Sequence, residues 1–240
     1  MFKRTLKSAI KNRILKNIIL FDCIGSTNSY LMKNQLPSGT VAAARVQKEG
    51  KGKHGARWIS AEGGLWFSFI IRKKIKMPYM YVVLSSVAVA DTLKSYGVKP
   101  LIKWPNDVLV SGKKICGILI ENNHYESKIV TGIGININND VPSEGGINAV
   151  SLSRLLGGKI DIDKFFISLI RRIDKNIAGL KDHRAGLIAS WIRYQSDISG
   201  RKIKLMSGGR QKTYTALKAT KKGTVITTEG RELKGEVFFL

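Results

Sequence analysis

Cysteine, proline and acidic residues are the scarce components of this 240-residue chain, which has 2 Cys, 5 Pro and 17 Asp plus Glu against 41 Lys plus Arg. Two cysteines cannot build the disulfide framework of a small secreted domain. Cys23 and Cys116 both lie in apolar stretches, where thiols are expected to be buried and reduced. No apolar run approaches the roughly 18 to 20 residues that span a bilayer, and the first residues carry no signal-peptide core with a small-residue cleavage site. A cytoplasmic protein with no membrane partner is the expectation. The apolar and charged fractions, 43% and 24%, are those of ordinary globular proteins and disfavour disordered or fibrous classes.

The deficit of acid leaves a formal net charge of +24. Such a field attracts nucleic acid, nucleotides or an acidic protein without choosing among them. Residues 1–17 are basic and free of acid, a cationic arm leading into a first strand at Ile18–Phe21. They are too few to form the packed helices of a helix-turn-helix module, so no specific DNA binding is expected from this end.

Several segments alternate or cluster apolar residues as strands do: Val41–Gln47, Leu65–Arg72, Leu101–Trp104, Val108–Val110, Lys114–Glu121 and Lys128–Asn136. Helical spacing marks Ser29–Asn34, Tyr79–Tyr96, Asp163–Leu180 and Arg184–Tyr194. The quick succession of strands around the turn Ser111-Gly112-Lys113 predicts antiparallel sheet rather than a doubly wound nucleotide fold. Beyond Ile198 the pattern changes to short strands at Ile203–Met206, Tyr214–Ala219, Thr224–Thr227 and Glu236–Phe239, as in a small barrel. A domain boundary is expected between Tyr194 and Ser199.

Three segments carry candidate chemistry. In Gln47 to Trp58, three glycines expose backbone N–H groups while Lys51, Lys53 and Arg57 add positive charge, a loop able to close over phosphate. It lacks P-loop spacing, and taken alone a solvated basic loop is the better reading. Lys103-Trp104-Pro105-Asn106-Asp107 ends a strand in a turn, and Asp107 faces Lys114 across the following hairpin, an ion pair or merely an exposed contact. Thr131 to Asn138 places glycines in a strand, where a flat ligand approaches the backbone or a bulge forms.

Taken in order, these segments resemble the biotin protein ligase family. Ser26-Thr27-Asn28 is similar to that family's Ser-Thr-Asn turn, Gln47 to Trp58 to its Gln and Gly-Arg-Gly-Arg loop, and Lys103 to Asp107 to its Lys-Trp-Pro-Asn-Asp. Lys114 to Glu121 and Gly134-Ile135-Asn136 match two further motifs of the family. The resemblance covers nearly the whole chain. It departs in the loop, where Lys51 and Lys53 stand for arginines and Ala56 for another.

The resemblance implies an α+β fold: a mixed, mainly antiparallel sheet with flanking helices, like that of class II aminoacyl-tRNA synthetases, in a catalytic domain at 1–195, and an SH3-like β-barrel at 196–240. It implies an enzyme that joins biotin to ATP as biotinyl-AMP and passes the biotin to a lysine of a biotin carboxyl carrier protein or domain, with Mg²⁺ on the triphosphate. Ser26, Thr27, Asn28 and Gln47 would bond the ureido group. Gly117, Leu119, Trp66 and Trp58 would line the biotin pocket, with Lys51, Gly52, Lys53 and Lys114 reaching the carboxylate. The nucleotide would meet Lys51, Lys53, Arg57, Trp58, Asn106, Lys114 and Asn136. Lys114, Lys51 and Lys53 would stabilise charge at the α-phosphate, and Asp107 would hold Lys114 or take the acceptor lysine's proton. No metal ligand is assigned. Relatives in the family often form homodimers, and a ligase without the DNA-binding repressor domain of some members is expected. A lipoate ligase of related fold and a basic nucleic-acid-binding protein are the rival readings.

Overall fold

The computed structural model describes residues 12–73, 77–123, 125–141, 148–195, 202–207, 210–220, 225–233 and 237–239. Residues 1–11 of the basic arm and 196–199 of the expected boundary lie outside that set, as do the starts of the strands read at Thr224 and Glu236.

Seven strands form the main sheet: β1 (Asn17–Ile24), β2 (Thr40–Gln47), β3 (Leu65–Arg72), β4 (Pro100–Lys103), β5 (Asp107–Val110), β6 (Lys113–Asn123) and β7 (Lys128–Ile135). Their spatial order is β1-β2-β3-β7-β6-β5-β4. β1 runs parallel to β2 and every other pairing is antiparallel, so the sheet is mixed and mainly antiparallel as expected. β7 ends one residue earlier than the sequence indicated, leaving Asn136 just beyond the sheet.

Alternation along β2 and β3 decides which face receives which helices. Val41, Ala43, Phe67, Phe69 and Ile71 enter the large core. There they meet α2 (Met80–Ser95), α4 (Ile162–Ala178) and α5 (Arg184–Tyr194), while the short α3 (Leu152–Leu156) contributes Leu152. Ala42 and Ile70 point the other way, to Leu31 of α1 (Thr27–Lys33). β3 is buried on both faces and reads as a continuous apolar run, broken only by Ser68.

Two buried charges fasten the ends of this frame. Asp174 on α4 accepts the backbone N–H groups of Arg13, Ile14 and Leu15 at 2.8 to 2.9 Å, pinning the segment that leads into β1. Lys128 on β7 is fully buried, and its ammonium donates to the carbonyls of Met32 (2.6 Å) and Asn34 (3.3 Å). A cation at the C-terminal end of α1 complements both the unsatisfied carbonyls and the dipole there. Lys128 thereby fixes the helix whose first turn carries Thr27 and Asn28.

A second, antiparallel sheet has the order β11-β10-β9-β8-β12, from β8 (Lys202–Ser207), β9 (Arg210–Ala219), β10 (Val225–Thr227), β11 (Glu232–Leu233) and β12 (Val237–Phe239). Ala216 of β9 joins the large core and Tyr214 packs against it. Among the described residues no helix is long and apolar enough to cross a membrane.

The thiols part company. Cys116 is buried, and that burial raises its pKa. Cys23, expected to be buried, is exposed, near the end of the edge strand β1, where Asp22 is exposed as well.

Candidate active site

The α1 face of the sheet holds a cavity of about 270 Å³. Its floor comes from the end of β2 and the middle of β3, β6 and β7, and its roof from the glycine-rich loop between β2 and β3. Ser26, Thr27, Asn28, Gln47, Lys51, Gly52, Lys53, Arg57, Trp58, Asn106, Asp107, Lys114, Gly117 and Leu119 all line it. The structure thus gathers residues from Ser26 to Gly134 around one cavity.

One end of the cavity is rich in hydrogen-bond acceptors. The Thr27 backbone N–H donates to Gln47 Oε1 at 2.8 Å, which identifies the oxygen end of that amide, and Gln47 Nε2 donates to Ser60. Asn28 Nδ2 donates to Glu121 at 2.8 Å, so its Oδ1 faces inward to accept from Ser68 at 2.5 Å. Thr27 Oγ1 lies 2.7 Å from Ser68 Oγ and 3.0 Å from Gln47 Oε1. Two hydroxyl hydrogens therefore serve three oxygen–oxygen contacts, leaving a surplus of lone pairs. A ligand bringing N–H donors suits this end. Ser26 sits beside it as the N-cap of α1, accepting from Ser29 N.

The other end is cationic. Lys51, Lys53, Arg57 and Lys114 face a single lining carboxylate, Asp107. Lys114 Nζ lies 2.8 Å from Asp107 Oδ1, an ion-pair contact that leaves that oxygen without a hydrogen bond of good geometry. A bulge creates this contact. In the β5–β6 pairing Asp107 opposes Gly117 and Val108 opposes Cys116, but Leu109 opposes Lys114, so Ile115 is skipped. The extra residue turns Lys114 onto the face occupied by Gly117 and Leu119 instead of the opposite one.

The sheet glycines act as a shelf. Gly117 and Gly134 are cross-strand partners, and the Trp58 ring lies on both: a Cβ would fall 2.8 Å from the indole at Gly117 and 2.4 Å at Gly134. The Lys114 ammonium stands 5.1 Å from the Trp58 ring centre, within cation–π range. Trp58 Nε1 is buried without a hydrogen-bond partner.

Two assigned residues fall outside the lining. Trp66 is fully buried, donates its Nε1 to Ala61 O at 3.0 Å and packs edge-on against Trp58, which does line the cavity. Asn136 spends its amide oxygen on Asn139 Nδ2 (3.1 Å) and its backbone on Ile115 and Leu152. It braces the turn after β7 and does not border the cavity. Conversely, Ser68 and Glu121 belong to the site without having been singled out. Ser68 was signalled by being the lone hydroxyl in the apolar run of β3, and Glu121 by closing the motif that begins at Lys114. Among the described residues no group of three or more His, Cys, Asp or Glu is placed to hold a metal ion.

Fold and site together are those of an enzyme family: residues 20–140 match the model of the Biotin/lipoate A/B protein ligase family, and the chain belongs to it. Among solved structures, a biotin protein ligase from Aquifex aeolicus in complex with biotin and ATP superposes with a TM-score of 0.82 at 27% identity, over 94% of this chain and 99% of that one. The bifunctional ligase/repressor BirA of Bacillus subtilis is 36% identical over 170 residues, 65% of this chain but only 52% of that protein. The chain thus spans about half the length of the Bacillus relatives it matches. The biotin-[acetyl-CoA-carboxylase] ligase of Mycobacterium tuberculosis is 27% identical over 78% of this chain and 73% of its own.

Proposed function

We propose that the chain is a biotin protein ligase, forming biotinyl-5′-AMP from biotin and ATP and transferring the biotin to a lysine of a carboxyl carrier protein or domain. The observation that carries this reading is the polarity of the cavity: an acceptor-rich end at Thr27, Gln47 and Ser68, joined by a glycine shelf to a cationic end at Lys114. A cyclic urea offers two N–H donors to the first, and a carboxylate on a short chain reaches the second. The dithiolane of lipoate has no N–H donor, and would leave the acceptors of the polar end desolvated and unmatched. The same contrast separates this reading from a nucleic-acid-binding protein, which needs an open basic face with stacking aromatics.

In the first step a biotin carboxylate oxygen attacks the α-phosphorus of ATP, and the bond to pyrophosphate breaks. Negative charge gathers on the phosphoryl oxygens, and Lys114 with Lys51 and Lys53 supplies fixed positive charge there. In the second step the acceptor amine attacks the acyl carbon and AMP leaves. That amine must first lose a proton, and Asp107 is the carboxylate at hand. Arg57, Trp58 and Asn106 would adjoin the nucleotide. Mg²⁺ commonly binds through one or two carboxylates plus substrate phosphates, which fits a cavity with one carboxylate; the ion would come with the triphosphate and neutralise part of its charge.

The division into a catalytic unit at 1–195 and a small SH3-like barrel at 196–240, a cytoplasmic location and a homodimer complete the reading. The charge of +24 would steer an acidic carrier domain, an effect that salt weakens. The test is biotin-dependent exchange of pyrophosphate into ATP, with lipoic acid as competitor. Exchange with biotin and none with lipoic acid is expected; exchange with lipoic acid alone, or with neither, would overturn the assignment.

A further inference from the structure

Glu121 is the carboxylate that joins the polar end of the cavity to the cationic loop. Its Oε2 accepts from Asn28 Nδ2 at 2.8 Å, and its Oε1 lies 3.5 Å from Lys51 Nζ. The two sides of this contact differ in rigidity. Glu121 is on β6, paired with Val130 of β7, and its partner Asn28 is buried and wedged against Gly132, where even a Cβ would fall 2.1 Å from Asn28 Oδ1. Lys51 is on the loop, with its side chain 46% exposed. The strand therefore fixes the carboxylate, while the lysine that meets it stays free to leave.

Lys51 also lines the cavity, and the loop that carries it forms one wall of a second groove of about 830 Å³ that Glu121 borders. A single ammonium thus stands between a protein carboxylate on one side and the expected place of a phosphate on the other. The ion pair is long and partly exposed, of the kind that contributes little and yields readily. An α-phosphoryl group, in ATP or in the adenylate, carries one negative charge as the carboxylate does and accepts equally strong charge-assisted hydrogen bonds, so the two compete for the shared lysine.

We propose that Glu121 is a positioning residue for adenylation: it holds Lys51 at the cavity rim and competes for it with the bound phosphate, so that the Glu121–Lys51 pair sets how long a phosphate-bearing ligand is retained. The inference rests on reading the cavity as the site of biotinyl-AMP formation. Through Asn28, the contact also ties the loop to the end of the cavity that would hold the ureido group.

Glu121→Gln keeps an oxygen for Asn28 and removes the charge opposite Lys51. At low salt it is expected to slow biotinyl-AMP release and lower the KM for ATP about two- to fivefold, within the span of an exposed pair. In a Lys51→Ala background the same substitution is expected to change neither quantity. Faster release, a higher KM for ATP, or an equal gain without Lys51 would overturn the proposal; the last would show a general field effect rather than a competition for one lysine. Glu121→Asp, which keeps the charge but withdraws it from Lys51, is expected to shift both quantities in the same direction and to a smaller extent. Biotin-dependent pyrophosphate exchange by the unsubstituted protein separates the two failures: its absence refutes the ligase reading, and its presence without coupling to Lys51 refutes only the role of Glu121.

Discussion

The Lys114 ammonium lies 2.8 Å from Asp107 Oδ1 and 5.1 Å from the centre of the Trp58 ring, so one cation is held between a carboxylate and an aromatic face. Asp107 is fixed opposite Gly117 in the sheet, and Trp58 rests on the glycines at the end of its loop. A lysine so placed loses little freedom when it meets a phosphate. Lys114→Met is expected to lower pyrophosphate exchange about 100-fold or more, the loss typical of removing one preorganised charge-stabilising donor. Asp107→Asn is expected to slow transfer from preformed biotinyl-AMP at least about tenfold, read in single turnovers with carrier protein. Unchanged transfer would remove Asp107 as the base and leave it as the holder of Lys114.

The shelf glycines give a prediction in which stability and activity separate. At Gly132 an added Cβ meets the buried Asn28 side chain at 2.1 Å, and at Gly134 it meets the half-buried Trp58 at 2.4 Å. Asn28 cannot retreat without breaking its bonds to Ser68 and Glu121, whereas Trp58 sits at the end of a loop and can. Gly132→Ala is expected to cost about 2 kcal/mol in denaturant unfolding, within the usual range for overpacking. Gly134→Ala is expected to leave the unfolding midpoint nearly unchanged while raising the KM for biotin, because it pushes aside a wall of the cavity. The reverse pattern would mean that Trp58, not Asn28, is the rigid partner.

Much of this arrangement was legible in the chain. The strand runs, the amphipathic α4 and the loop between β2 and β3 follow from periodicity and glycine placement, and the motif order brought Gln47, Lys51, Lys53 and Lys114 to one site. What periodicity could not give was parity across an irregularity. Lys114 and Gly117 are an odd number of residues apart and in a regular strand would face opposite ways; only the bulge at Ile115 reunites them. The place of Asn136 outside the cavity lining was hidden for a related reason. An asparagine two residues past a strand glycine reads as a ligand contact, yet once β7 stops at Ile135 its amide oxygen accepts from Asn139 in the turn that follows. Cys23 shows that an apolar neighbourhood in sequence does not bury a residue near the end of an edge strand.

Two tyrosines make the fold sensitive to alkali. Burial raises the pKa of Tyr81 on α2 to about 12, and burial together with its hydrogen bond to Asp91 (2.7 Å) raises that of Tyr194 on α5 to about 12. Both folded values exceed the unfolded one near 10. The protonated phenols are therefore favoured by folding: their contribution is complete below pH 10 and is lost as pH rises from about 10 to 12. The denaturant midpoint is expected to fall across that interval, and Tyr81→Phe is expected to flatten the fall. A midpoint constant to pH 12 would show that neither phenol is held neutral by the fold.

The loop's lysines bear on how long the adenylate stays bound. An ammonium meets phosphate as a point charge, while a guanidinium presents two parallel N–H donors to two phosphate oxygens. Lys53 lines the cavity next to Gly52, whose backbone N–H is already committed to Ala56 O at 2.6 Å, so under the ligase reading the lysine side chain is what the loop would offer a phosphate there. Lys53→Arg is expected to slow biotinyl-AMP release about threefold or more by adding one charge-assisted hydrogen bond, with little change in the KM for biotin. Slower release should also lower turnover when release of the adenylate to the carrier limits the rate, so the variant trades speed for retention. An off-rate equal to that of the unsubstituted protein would place Lys53 away from the phosphate and leave Lys51 and Lys114 as the cations that hold it.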